Sequence, residues 1–238
     1  ANDLGYKLKT VSQEDFDKAQ TGEERFDLYV QNYRSITTEW NDELLWARPQ
    51  NAYFYCMNSL PGVFNSWFGG NGVSLDLVNS YFMADGSDAK PVDEWFSNKQ
   101  FSTENGNGTI ANTFWMFCNR EPRFYGSIGF NRGDYLINGD TINLKMRFKE
   151  QNGTRDAGSD QLYGSYAIAK LAHPETFVSG TSNSLVAFPF PIIRLGELYL
   201  DYAEAYFEYN GTLEGDALTY FNLIRQRAGI PNVEVSYK

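Results

Sequence analysis

Histidine occurs once in these 238 residues, at His173, and cysteine only twice, at Cys56 and Cys118. No zinc or haem spacing can be assembled from so small a set. The two cysteines allow either a disulfide in an oxidising compartment or separate buried thiols, and they do not report the compartment. Positive charge is also short: 20 Lys and Arg face 30 Asp and Glu, a net charge of −10. A phosphate backbone calls for the opposite field, and no basic block opposes the global sign. Nucleic acid is therefore excluded as a partner, and anionic membrane surfaces are disfavoured. Long apolar runs are missing too. The longest, LVAFPFPII (185–193), is broken by two prolines, whereas a membrane-spanning helix needs about 20 apolar residues. The N-terminus, ANDLGYKLKT, has no apolar signal-peptide segment. The chain is then intracellular, or it begins after processing or partway into a longer protein.

What is present in surplus is aromatic: 16 Tyr, 18 Phe and 5 Trp, or 16% of the chain. Core filling is the common use for such rings, and stacking on flat apolar ligand faces is the other.

Along the chain, Phe26, Tyr29, Val30 and Tyr33 fall at helical spacing, so FDLYVQNYRS predicts an amphipathic helix. The run Leu44-Leu45-Trp46, closed by Pro49, reads as a short strand or a helix tail. Residues 51–74, NAYFYCMNSLPGVFNSWFGGNGVS, have loop chemistry. VSLDLVNSYFMADG (73–86) returns to helical spacing. Between 121 and 148, apolar runs separated by NRGD and NGD predict a β-hairpin or three-stranded meander. The embedded Arg-Gly-Asp is read as a turn and not as an adhesion motif. QLYGSYAIAKLA (161–172) is a short strand or helix candidate. Leu195, Leu198, Tyr199, Tyr202, Ala205, Tyr206 and Tyr209 form the stripe of one helix, stopped by Asn210-Gly211. Ala217, Phe221, Ile224 and Ala228 form the stripe of a second, stopped by Gly229 and Pro231. Leu195-Gly196-x2-Tyr199, Ala217-x3-Phe221 and Pro231 follow the order of one tetratricopeptide repeat, in which small residues let paired helices approach.

Four carboxylates, Glu197, Asp201, Glu204 and Glu208, line one face of the first of these helices. They lie off the aromatic stripe, as a solvated or ion-paired face does, with Arg194, Arg225 and Arg227 nearby. Mid-helix carboxylates rarely supply the loop carbonyls that calcium needs. His173 has no serine or cysteine in a nucleophile motif. GGNG (69–72) and NGNG (105–108) lack the setting of a phosphate loop. No metal and no cofactor is therefore expected. Asp85, Asp88, Asp93 and Glu94 share a turn-rich stretch, but nothing marks two of them as a glycosidase acid and its partner.

The better candidate is the aromatic loop. Tyr53, Phe54, Tyr55, Trp67 and Phe68 are interleaved with Asn51, Asn65 and Asn71. Sugar C–H faces pack on flat rings while hydroxyls take amide partners, which suits neutral glycans. The competing reading has these rings plugging the core beneath the loop.

Taken together, these segments resemble the SusD/RagB family of outer-membrane nutrient-binding lipoproteins. FPFPIIRLGELYLDYAEAYFEYNG (188–211) and FNLIRQRAGIP (221–231) carry the strongest likeness. NDELLWARPQ, VSLDLVNSYFMADG and the strand-like NREPRFYGSIGFNRGDY add to it in the same order. The resemblance implies a mainly α fold, a superhelix of tetratricopeptide-like hairpins with a loop-rich ligand face. Residues 1–50 are expected to be helical, 51–185 to form the loop-rich region with a β-hairpin at 121–148, and 186–231 to form the helical hairpin. It also implies a non-catalytic role on the cell surface of a Gram-negative bacterium, where oligosaccharide is captured and a SusC-like TonB-dependent transporter is capped. The ligand site is expected to include Tyr53, Tyr55, Asn65, Trp67, Phe68 and Asn71, just after the NDELLWAR match. Counterparts of the family's N-terminal half, its lipid-bearing cysteine and its last helices are missing, so the chain is expected to be a fragment, with membrane attachment through a lipid anchor outside it. A helical glycoside hydrolase and a tetratricopeptide-type adaptor for protein partners are the rival readings.

Overall fold

Two helix starts are written near the N-terminus. The Ser12 hydroxyl accepts from the Asp15 amide at 3.0 Å and opens α1, Gln13–Lys18. Thr21 and Glu24 form a reciprocal capping box that opens α2, Gly22–Thr38, satisfying amides that have no intrahelical partner. The computed structural model describes residues 2–49, 60–61, 71–153, 165–179 and 182–237. After α2 the chain enters strand β1, Leu44–Arg48, so the stretch expected to be helical to residue 50 ends extended. Two short helices follow: α3, Leu75–Asn79, capped by Ser74, and α4, Val92–Ser97. Helical spacing over 73–86 thus yields only the five residues of α3. The chain turns after Ser80 and makes an isolated bridge from Met83 to Arg120.

The segment 121–148 differs most from expectation. It opens with a helix, α5, Pro122–Ser127, because Pro122 sits at the first helical position, where a missing amide costs nothing. The strand-like reading of Arg123-Phe124 is corrected accordingly. Strand β2, Ile128–Gly129, follows, and then the hairpin of β3, Asp134–Ile137, with β4, Asp140–Asn143. Asn138 (φ 59°) and Gly139 (φ 68°) form its two-residue turn, left-handed at both positions as this tight hairpin requires. Arg-Gly-Asp lies at the start of β3, with Gly133 buried and Asp134 half-buried, so it presents no loop for adhesion.

Strand β5, Ala167–Ile168, pairs antiparallel with β2, and β6, Phe177–Ser179, with β7, Ser182–Ser184. Strand β8, Phe190–Arg194, pairs antiparallel with β1 and leads directly into α6, Leu195–Asn210. Gly211 ends α6 in the left-handed conformation, and α7, Gly215–Arg227, packs back along it. The short α8, Val233–Ser236, closes the described chain. The fold is mainly helical, with four two-stranded β units among the described residues.

Part of the aromatic surplus fills the interior. Phe26, Trp95, Phe117, Phe124, Tyr125 and Phe130 are buried in one cluster with Val78, Met116 and Ile128. Phe130 lies 4.7 Å from Phe117 and 5.2 Å from Phe124, centroid to centroid, in the tilted contacts that aromatic pairs prefer. A second cluster holds Leu60, Tyr135, Ile137, Leu144, Ala169 and Ala172 beneath the hairpin. In the helical pair, Gly196, Ala203 and Ala217 are buried at the contact, as small residues at a close approach should be. The rest of the α6 stripe is less covered than its spacing predicts. Leu198, Tyr202 and Tyr209 are exposed, while Tyr199 stacks on Tyr220 at 4.4 Å.

Candidate functional site

Of the six residues expected at the ligand site, Tyr53, Tyr55, Asn65, Trp67 and Phe68 lie outside the described residues, and Asn71 is exposed at the start of the described chain beyond them. What is described is the frame that holds this loop. Leu60 and Pro61 are buried, Leu60 within the second core cluster. On the far side the Val73 amide donates to the Tyr166 carbonyl at 3.0 Å, and Val73 packs on the first cluster. Leu60, midway along the loop, and Val73, just beyond it, are thus tied to the two cores.

The motifs that carry the family likeness meet elsewhere, at a buried ion cluster. Glu43 is fully buried and accepts from the guanidinium of Arg227, whose side chain is 6% exposed. The Arg194 Nη1 approaches the same carboxylate at 3.4 Å, and the Lys9 amide donates to its Oε2 at 3.0 Å. Gly196 makes the approach feasible, since a Cβ there would lie 2.7 Å from Glu43 Oε1 and 2.9 Å from Arg227 Nη2. Charges this deep persist only when paired and hydrogen-bonded. Of the arginines expected beside the acidic stripe, Arg194 and Arg227 thus serve Glu43, and Arg225 donates to the Pro231 and Gly86 carbonyls, while Glu197, Asp201, Glu204 and Glu208 are all exposed.

A second polar knot holds the segment before α5. Arg120 is fully buried and donates to the carbonyls of Met116 at 2.9 Å and Val78 at 3.1 Å, and to that of Tyr81. Burial lowers its pKa to about 10, so it remains charged at neutral pH. Its neighbour Glu121, also fully buried, accepts from Arg123 at 2.6 and 2.8 Å and from the Phe82 amide at 2.9 Å. Burial pushes Tyr81 up to about 12, with Tyr33 adding to the shift. Arg120 and Glu121 are engaged by the fold itself, which marks them as structural.

The groups a hydrolase would use are likewise engaged or dispersed. Asp85 accepts from the Ser87 amide and hydroxyl, which hold its carboxyl below the usual range. Asp88 accepts from the Tyr237 hydroxyl. Asp93 and Glu94 are exposed in the first turn of α4. The Nδ1 of His173 accepts from the Glu175 amide at 3.2 Å. Cys118 is a free, half-buried thiol whose pKa is raised by burial. Cys56, its candidate partner, lies outside the described residues. No group of three or more His, Cys, Asp or Glu that could hold a metal occurs among the described residues. No helix among them is long and apolar enough to cross a membrane.

One feature missed in the sequence is a set of exposed rings on α4 and in the chain between α4 and α5. Phe96, Phe101 and Trp115 are 43%, 47% and 45% exposed. Phe114 lies half-buried among them, 5.4 Å from Phe96 and 5.7 Å from Phe101. The Trp115 amide donates to the Gln100 carbonyl at 3.0 Å, which brings the indole's backbone beside Phe101. The available signal was the aromatic density of EWFSNKQF and NTFWMF in a turn-rich stretch.

The SusD family model matches residues 18–238, so the chain belongs to the SusD family. Among solved structures, that of BT4246 aligns with a TM-score of 0.76 at 23% identity, covering 97% of this chain and 42% of its own. A SusD-like protein (BF3747) from Bacteroides fragilis NCTC 9343 aligns with a TM-score of 0.65 at 23% identity, covering 98% of this chain and 42% of its own. No curated protein matches the chain. These likenesses establish the fold, and the chain spans well under half the length of the solved relatives.

Proposed function

We propose that this protein is a non-catalytic, surface-exposed glycan-binding component of a TonB-dependent nutrient-import system. The match to the SusD family over residues 18–238 carries the reading. In this reading the pair α6–α7 is one hairpin of a tetratricopeptide-like superhelix, and residues 1–50, 51–185 and 186–231 belong to one SusD-like domain. A SusC-like transporter is its partner, a lipid anchor outside this chain holds it at the outer membrane, and oligosaccharide is its cargo. Tyr53, Tyr55, Asn65, Trp67, Phe68 and Asn71 supply part of the ligand surface. In support, Leu60 midway along this loop is buried in one cluster and Val73 beyond its end packs on another, two anchors for a binding loop. The catalytic alternative is disfavoured by the engagement of Asp85 and Asp88 in hydrogen bonds within the fold.

The test is affinity electrophoresis on plant, host and microbial polysaccharides, with a Tyr53→Ala/Trp67→Ala variant alongside. Retardation by one polymer, lost in the variant and accompanied by no release of reducing ends, is the expected outcome. A folded protein that no polysaccharide retards would refute glycan capture, and product release would refute the non-catalytic assignment.

A further inference from the structure

Phe96 and Phe101 are exposed against Phe114, and Trp115, the next residue in the chain, is exposed as well. Phe114 itself contacts the buried Phe117 at 5.8 Å, so the exposed rings stand on a fixed base. Aromatic side chains bury about 150–250 Å² each when fully covered. With somewhat under half of each exposed, the three present roughly 300 Å² of apolar surface. A stable protein interface takes about 800 Å² from each partner, so this patch is too small to seat a protein alone, yet it is in the range of surface patches that carry function.

The surroundings narrow the ligand. Asn98 is exposed and Gln100 half-buried beside the rings, offering amide donors and acceptors. Exposed charge nearby in the chain is mostly negative: Asp93, Glu94 and Glu104 against Lys99, on a protein of net charge −10. An anionic ligand would be repelled, whereas a neutral polyhydroxylated ring has apolar faces for the rings and hydroxyls for the amides.

We propose that Phe96, Phe101 and Trp115 form a second stacking platform for neutral glycans, separate in sequence from the 51–71 loop. The proposal rests on the glycan-binding reading above. It also connects to it physically, because Val73 at the loop's exit and Phe114 beneath the platform pack on the same core cluster. A polymer that engages both gains avidity over either alone.

Gels containing amylopectin, xyloglucan, galactomannan or polygalacturonate test this with the intact protein, a Phe101→Ala/Trp115→Ala variant and the Tyr53→Ala/Trp67→Ala variant. A Phe101→Leu/Trp115→Leu variant keeps apolar bulk but removes the flat faces, and so guards against misfolding of the alanine pair. Retention by a neutral polymer, weakened roughly tenfold or more in both platform variants, is expected. Platform variants retained like the native protein, while the loop variant is not, would overturn the platform and leave the glycan reading standing. A native protein retained by none of the gels would overturn the glycan reading and the platform with it. Preference for polygalacturonate would overturn the neutral class. Platform variants that keep glycan binding but no longer co-purify with a transporter would reassign the rings to that contact.

Discussion

Replacing Glu43 with glutamine keeps the shape of its side chain and removes one buried charge. In the native protein that carboxylate is fully buried, and it faces the nearly buried Arg227 and the half-buried Arg194. The amide oxygen of the substituted side chain can accept only part of what the carboxylate accepts, and two guanidinium groups lose their counter-charge. Breaking a buried pair from one side costs about 3–5 kcal/mol, most of it the cost of the stranded partner. For a chain of this size, 1 kcal/mol shifts the unfolding midpoint by about 2–4 °C, so E43Q should lower it by roughly 6–20 °C. Thermal unfolding followed by circular dichroism measures this. The same cluster fixes the expected result of a double-mutant cycle. Arg227→Met alone strands the carboxylate, whereas E43Q/R227M removes both charges and should cost clearly less than the two single changes added together. A loss below about 1 kcal/mol for E43Q, the scale of an exposed ion pair, would refute the claim that this cluster locks the fold. Strict additivity would refute the claim that Glu43 and Arg227 act as a pair.

Two further measurements probe titration. His173 is the single histidine, and burial lowers its pKa, with the Glu175 amide donating to its Nδ1. The folded state then binds the proton less well than the unfolded chain, so this group's contribution to stability grows as the pH rises toward 6.5 and falls on acidification. An NMR titration should give one imidazole midpoint below 6.5, and a midpoint at or above that value would contradict the described setting. Asp134 behaves with the opposite sign: burial raises its pKa, while the Asn143 amide lowers it and Glu23 adds repulsion. Its contribution is fully present below the ordinary carboxyl pKa of 3.8 and is lost as the pH rises through the elevated folded value. Asp134→Asn should therefore stabilise the protein at about pH 7, with the gain vanishing near pH 3. Destabilisation at neutral pH would show that the bond from Asn143 outweighs burial.

How legible this fold was depended on whether the deciding force was local. The end of α6 at Asn210-Gly211, the Asn138-Gly139 hairpin and the helical run around Phe26 follow from backbone preference and hydrophobic period, both readable within a few residues. The start of α5 carried an equally local signal in Pro122. The aromatic run around Arg123-Phe124-Tyr125 masks it by suggesting a strand, although Phe124 and Tyr125 are both buried and no strand alternation survives. The buried arginines could not be read at all. Arg120, Arg225 and Arg227 look like surface residues by composition, and Glu43, the partner of Arg227, lies 184 positions away. The same blindness explains the site. A ring in the sequence does not say whether it faces the core or the solvent: Phe117 and Phe101 belong to the same aromatic-rich stretch, yet one is buried and the other half exposed. Family motifs therefore identified the protein through residues that hold it together. Which rings lie exposed is decided by the fold, and for those of the 51–71 loop a binding measurement is the test.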